Sequence, residues 1–336
     1  MELQETLSAV EAVPALAKTA VLLSAISYSQ NVRADLNTYL PGWTLLWEGI
    51  ETTDGNFAFI ASDPSGEFYG LAIRGSLSPI DIFKDWDAFA NWILEDLDVL
   101  STVTWHYTSS GAARISAGAS RAFNNVAEMQ DRLRPGSPRI FNFLKTEAVS
   151  KNKKVIITGH SLGGNTANVY ASYFVAALKQ EGINYNNTNL FTFAAPAAGD
   201  SGFATDLDNK ITEAWHFENV QDVIPKCPIV SGLINASRLY VPSPASDKII
   251  VTYEGLEVSL WDAYVLLAGI LYAYGYTRQE RNYIVFGAAL DPRYRNNTLT
   301  DYFYQLGAQH AMVMYTSYLK VKIDATLAAR GSMLNH

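Results

Sequence analysis

One pentapeptide joins a nucleophile to a backbone turn that could activate it: Gly159-His160-Ser161-Leu162-Gly163. It fits G-x-S-x-G. At an average glycine use of about 7%, such a match arises by chance in about one chain in ten of this length, so context decides. The pattern carries chemistry where a strand feeds a helix through a sharp turn. Here Val155-Ile156-Ile157 precedes it and Thr166-Ala167-Asn168-Val169-Tyr170 follows. Such a turn leaves room only for glycine beside the serine. It lifts the Ser161 hydroxyl above a sheet and sets the N–H of Leu162 at a helix N-terminus, where an oxyanion is stabilised. The competing reading is a glycine-rich turn with an inert serine.

A serine hydroxyl is a weak nucleophile and needs a base. In this arrangement the chain order is serine, acid, histidine. The downstream histidines are His216, His310 and His336. His336 is the last residue, and His216 lies inside the strand-like Ala214-Trp215-His216-Phe217-Glu218, ahead of the best acid. His310 remains, and a loop or helix start is expected to present it. The acid is assigned to Asp222, just past a strand ending at Val220, because the carboxyl ends of strands carry the site in an α/β sheet. Asp200 competes, but its simpler role is the N-cap of a helix starting near Ser201.

These residues sit among others that resemble the fungal-type triacylglycerol lipases, or class 3 lipases, of the α/β-hydrolases. The matching pieces are Ala72-Ile73-Arg74-Gly75-Ser76, Asn91-Trp92-Ile93 with Asp96-Leu97, Ser116-Ala117-Gly118-Ala119, Val155 to Gly164, Thr192-Phe193-Ala194-Ala195-Pro196, and Asn219 to Pro225. They run in the family's order over roughly residues 65 to 315, and His310 falls where the family's histidine would. The resemblance implies an α/β-hydrolase fold: a central, mostly parallel sheet flanked by helices, with lid or cap segments. It also implies an oxyanion hole built from the N–H of Leu162 and that of Ser76, whose hydroxyl is a further candidate donor. No metal or cofactor is expected.

A lid is expected at 77–98, directly after Ser76, where the resembling lipases carry one. On a helix from Pro79, residues Phe83, Trp86, Phe89, Ile93 and Leu97 share one stripe, while Lys84, Asp85, Asp87 and Glu95 share the other. The plainer reading is a helix packed on the core. Trp92 lands on the polar side, so it is exposed, folded against a neighbour, or aimed at the substrate cleft. Residues 229–300 form an expected cap or pocket insertion. Within it Leu260–Tyr276 has Asp262 as its one charge, and is too short to span a bilayer. It reads as a buried helix, with a pocket wall as the functional alternative.

The elements that must hold these groups follow from patterning. Strand-like runs at 43–51, 56–61 and 67–74 are separated by Asp54-Gly55 and Asp63-Pro64-Ser65-Gly66, which predicts a meander. Helical patterns at 79–97, 113–133 and 139–150 precede strand 154–158, helix 164–181 and strands 189–195 and 214–220. Another strand is expected at 248–253 and a last helix at roughly 301–327. Alternation after residue 100 predicts a largely parallel sheet with covered faces in a single domain over 1–336.

Composition narrows the partners. The 336 residues are 49% hydrophobic and 17% charged, with net charge −8 and no run of Lys or Arg. That disfavours nucleic acid and anionic membranes. The low charge fraction points to a large core or to apolar surface. A single cysteine, Cys227, excludes an intrachain disulfide and reads as a small packing residue. Five histidines without ligand spacing leave zinc unsupported. The start, MELQETLSAVE, is acidic where a secretory signal is basic. This leaves a cytoplasmic location or an export route without a visible signal. The apolar stretch at 12–26 is expected to be a helix packed on the domain. The expected function is a serine carboxylester hydrolase for lipid or other apolar esters, met at a lipid–water interface, in lipid degradation. Alternatives are an esterase for short-chain or aryl esters, a phospholipase, and a catalytically silent protein that binds lipid or a partner.

Overall fold

The computed structural model describes residues 13–75, 83–109 and 111–330. In chain order the strands are β1 Thr44–Glu48, β2 Ala58–Ser62, β3 Phe68–Ile73, β4 Thr102–Thr104, β5 Arg114–Ser116, β6 Lys154–His160, β7 Thr188–Phe193, β8 Gly199–Asp200, β9 Ala214–Asn219, β10 Ile250–Tyr253, β11 Leu256–Ser259, β12 Tyr276–Thr277 and β13 Tyr283–Phe286. The α-helices are α1 Leu16–Ile26, α2 Val32–Tyr39, α3 Trp86–Asn91, α4 Ala117–Ala127, α5 Ile140–Glu147, α6 Leu162–Gln180, α7 Ser201–Lys210, α8 Val230–Ala236, α9 Leu260–Leu271, α10 Leu299–His310, α11 Met312–Tyr318 and α12 Ala325–Arg330.

The central sheet has the order β1-β2-β3-β6-β7-β9-β13. The first three strands form an antiparallel meander. From β3 onward every pairing is parallel. Parallel strands need both faces covered, and β6 shows how its sequence meets that demand. Val155 and Ile157 point to the cluster holding Val169 and Tyr170 of α6, whereas Ile156 points to the cluster holding Ala20 and Leu23 of α1. This is the α/β-hydrolase arrangement.

Several elements differ from the patterning. The helix expected from residue 79 begins, among the described residues, only at Trp86, because the Asp85 side chain caps it by accepting from the N–H of Ala88 at 2.8 Å. It runs into a π-helical turn at Trp92–Asp96. The 113–133 helix opens instead as β5, which pairs into a small four-stranded sheet of order β12-β8-β5-β4. The last helix is three helices, broken at Ala311 (φ −58°, ψ 140°) and again after Tyr318. The insertion at 229–300 supplies α8, the β10–β11 hairpin and α9, but it also returns β13 to the central sheet beside β9. Helix α9 is only half buried.

Candidate active site

Ser161 stands at the C-terminal end of β6 and caps α6, with φ 58° and ψ −131°. A side chain in that region costs about 1–3 kcal/mol of strain. Glycine makes the turn possible on both sides. A Cβ on Gly159 would lie 2.2 Å from the carbonyl oxygen of Gly163, and one on Gly163 would lie 2.3 Å from that of Ile73. The N–H groups of Gly164 and Asn165 turn back onto the Ser161 carbonyl at 2.9 and 3.1 Å. Leu162, the first residue of α6, has no intrahelical acceptor for its N–H, which suits it to an external oxyanion. Ser76, the second expected donor, lies outside the described residues. Its neighbour Gly75 approaches so closely that a Cβ there would meet the Tyr28 hydroxyl oxygen at 2.3 Å and Ser161 Cβ at 3.3 Å.

The structure brings Ser161, His310 and Asp222 into one hydrogen-bonded chain. Ser161 Oγ lies 2.8 Å from His310 Nε2, and His310 Nδ1 lies 2.8 Å from Asp222 Oδ2. A carboxylate only accepts, so Nδ1 carries the proton and Nε2 presents its lone pair to the serine hydroxyl. His310 is the last residue of α10, a helix end rather than the expected helix start. The kink at Ala311 turns the chain away and leaves the imidazole at the carboxyl edge of the sheet. Asp222 follows β9 and is fully buried. Its other oxygen, Oδ1, accepts the N–H of Ile224 at 2.9 Å, and Tyr315 donates its hydroxyl to Oδ2 at 2.7 Å. The carboxylate therefore accepts three hydrogen bonds, two of them at Oδ2.

Sequence reasoning did not foresee the residues that lock this chain. His160, beside the nucleophile, stacks its ring on His310 with centroids 4.7 Å apart. Its Nε2 lies 2.9 Å from the His310 carbonyl oxygen, and its Nδ1 lies 3.1 Å from the Tyr28 hydroxyl. Burial, and then the neighbouring His310, hold His160 well below its ordinary pKa, so it is neutral. Nε2–H then donates to the carbonyl and Nδ1 accepts from Tyr28. Asn219, at the end of β9, donates its side-chain amide to the carbonyl and side-chain oxygens of Gln309 at 3.0 and 2.9 Å. Its backbone N–H donates to the Tyr315 hydroxyl at 3.2 Å. The Asp222 loop and the His310 helix are thus tied together from both sides. The one available signal was that Asn219 opens the Asn219–Pro225 block.

The remaining candidates fall elsewhere. Asp200 caps α7, its carboxylate accepting from the N–H of Phe203 at 3.0 Å. Cys227 is buried, and burial pushes its thiol up, away from the reactive thiolate. His216 bonds Thr192 across the sheet at 2.7 Å, and burial pushes its pKa down to about 3. The unfolded state binds a proton below about pH 6.5 that the folded state refuses, so His216 costs stability as pH falls. At about pH 4.5 the loss is about 3 kcal/mol from this residue alone. Urea unfolding of a His216→Gln variant is expected to show a shallower fall in stability from neutral to acid pH; a parallel fall would remove His216 as the cause.

The expected lid aromatics are inward. Trp86 and Phe89 are fully buried, and Phe83 packs on Phe303 with centroids 5.4 Å apart. Trp92 folds against its neighbour, stacked on Phe89 at 6.0 Å, and is 4% exposed. With Leu162, Asn165, Thr166 and Pro196 it lines a cavity of about 220 Å³ whose walls do not include Ser161. Ser161 is 7% exposed and His310 1%. The nucleophile and its base are buried, and this aromatic layer packs in one cluster with Leu162, next to the nucleophile.

A sequence model of the class 3 lipase family matches residues 71–232. Over that span the chain is similar to the class 3 lipases. It is 25% identical over 180 residues to a lipase of Rhizomucor miehei, covering 53% of this chain and 46% of that protein. It is 23% identical over 197 residues to the secreted mono- and diacylglycerol lipase 1 of Fusarium solani, covering 57% and 49%. The chain thus spans about half the length of these curated relatives. Among solved structures, M37 lipase superposes with a TM-score of 0.72 at 19% identity, over 90% of this chain and 92% of that one. That likeness extends the shared fold well beyond the matched span. Both Ser161 and Asp222 fall inside the class 3 match; His310 and all of α9 fall outside it.

Proposed function

We propose that this protein is a serine carboxylester hydrolase that cleaves apolar esters through an acyl-serine intermediate. The observation that carries the reading is the Ser161–His310–Asp222 chain, with 2.8 Å at each link, on a strained strand–helix turn. His310 Nε2 takes the hydroxyl proton as Oγ attacks the ester carbonyl. Asp222 holds the imidazole tautomer and stabilises its cationic form. The tetrahedral oxyanion forms at the N-terminus of α6, against the N–H of Leu162, with Ser76 as the proposed second donor. His310 then protonates the departing alcohol, and water attacks the acyl-serine with His310 again as base. No step calls for a metal or cofactor.

The substrate class follows from the surroundings. Phe89, Trp92 and Leu162 belong to one apolar cluster at the nucleophile, which suits an acyl chain better than a charged group. The names of the relatives, a lipase and a mono- and diacylglycerol lipase, point the same way. The test is hydrolysis of p-nitrophenyl esters from acetyl to palmitoyl by the parent and by Ser161→Ala, with fluorophosphonate labelling of both. Labelling and turnover confined to the parent are expected. Neither in either protein would leave a silent binding protein.

The layer at 83–98, together with residues of the insertion at 229–300, acts as the lid in this reading. Trp86, Phe89 and Trp92 must leave their buried places for substrate to reach Ser161, and an apolar phase is what would receive them. Activity is therefore expected to rise steeply once an ester substrate passes from monomers to micelles. A smooth saturation curve through that concentration would count against a moving lid.

A further inference from the structure

Helix α9 carries apolar residues nearly all round, yet only one side of it is covered. Ala263, Tyr264, Leu267, Ala268 and Leu271 face inward and are buried. Val265, Leu266 and Ile270 on the outer side are 39%, 48% and 43% exposed. Trp261 is half exposed at the start of the helix, and Tyr272, just past its end, is 78% exposed. A helix apolar on all sides is expected inside a core or in lipid. Leaving three large aliphatic side chains in water, flanked by an indole and a phenol, is the layout of a segment that lies in a lipid–water boundary.

Its position connects it to the site. Tyr264 packs edge-on against Trp86 at 4.7 Å and meets the Tyr302 hydroxyl at 3.1 Å. Trp86 continues to Phe89 at 5.6 Å, and Phe89 to Trp92, which borders the cavity beside Leu162. Helix α9 is therefore the outer end of the aromatic stack that reaches the turn carrying the nucleophile, and its exposed face points away from that stack.

We propose that the outer face of α9 docks this protein onto the surface of a neutral or zwitterionic lipid phase. Charge sets the lipid class. Between Ile249 and Thr277 there is no Lys or Arg, while Glu254, Glu257 and Asp262 are all exposed. Arg238 and Lys248 border Trp261 together with Asp247, so acidic groups outnumber basic ones around the face and an anionic surface gains nothing. Size argues against a second copy of the chain as the occupant. A helix of 12 residues is about 18 Å long and about 10 Å across, which offers roughly 200 Å². A stable interface takes about 800 Å² from each partner. The inference rests on the ester-hydrolase reading for lipid being the substrate phase, so binding is tested apart from turnover.

The experiment is flotation of the 336-residue Ser161→Ala protein with phosphatidylcholine vesicles, with and without added phosphatidylglycerol. Flotation with phosphatidylcholine is expected, and phosphatidylglycerol is expected not to strengthen it. Leu266→Gln with Ile270→Gln should weaken binding by about tenfold or more. With Ser161 restored, the same pair should hydrolyse a soluble acetyl ester at the parent rate. Gly269 also lies on the outer face, where a Cβ would meet nothing within 4 Å. Gly269→Leu should therefore tighten binding several-fold while, with Ser161 restored, the soluble acetyl ester is still hydrolysed at the parent rate, a combination that misfolding cannot produce. No flotation of the parent overturns the proposal, as does binding that needs phosphatidylglycerol or that ignores all three substitutions. A dimer in solution that the glutamines abolish, without flotation, assigns the face to a second copy instead. If flotation behaves as expected but the parent hydrolyses no ester, the docking surface stands and the hydrolase reading falls.

Discussion

Ser161→Gly is expected to be more stable than the parent and to have lost roughly a millionfold in kcat. The two effects have separate causes. At φ 58° and ψ −131° the serine side chain is strained, and glycine releases about 1–3 kcal/mol of that strain. Glycine's extra freedom in the unfolded chain takes back about 0.5–1 kcal/mol. The net gain is about 1 kcal/mol, read as a higher urea midpoint. Ser161→Ala is the control, because it keeps the Cβ in the same backbone conformation. It should lose the rate without gaining the stability. A glycine variant less stable than the alanine one would mean that the turn is not strained. A variant that still turns over ester would remove Ser161 as nucleophile.

Asp222→Asn should cost about 10⁴-fold in kcat while leaving the protein folded. The surrounding donors dictate the outcome. Oδ1 accepts from the N–H of Ile224, which cannot reverse, so the asparagine oxygen must take that place. The new amide N–H₂ then faces Tyr315 and His310. Tyr315 can rotate its hydroxyl to accept. His310 can accept only by carrying its proton on Nε2, and Nε2–H then points at Ser161, where a base is needed. Because the defect is one of tautomer, binding of a non-reacting substrate analogue should be unchanged. Raising pH should not restore the parent rate. An Asp222→Asn rate within tenfold of the parent would mean that another group orients His310.

The local parts of the molecule were legible in the sequence because local sterics write them. Val155 to Tyr170 joins β-branched residues, two obligatory glycines and a helical run, and few conformations satisfy all three. The meander at 44–73 was readable from its turn dipeptides for the same reason. Other elements depended on partners far along the chain. Residues 114–116 look helical by period, yet they form a strand because β4 and β8 offer edges to pair with. Residues 283–286, Tyr-Ile-Val-Phe, are all strand formers that the patterning passed over inside the insertion, and their place in the central sheet comes from pairing with β9. The helix expected from residue 79 was shortened, among the described residues, by one side-chain cap at Asp85.

The candidate site divides along the same line. By itself the sequence determined the turn that strains Ser161, the helix N-terminus behind Leu162, and the order in which an acid and a histidine had to follow. The first two are consequences of backbone sterics; the order is that of the strand–turn–helix hydrolase architecture to which the pattern points. Only the tertiary structure decided that a helix end presents His310, and that Tyr28, His160, Asn219 and Tyr315 orient it. Tyr28 and His160 are separated by 132 residues, and Tyr315 and Asp222 by 93. Only the tertiary structure, too, left one side of α9 in water, since burial is a property of what packs alongside. A hydrogen bond or a covered face across such separations depends on the whole chain closing, and no local window of sequence contains it.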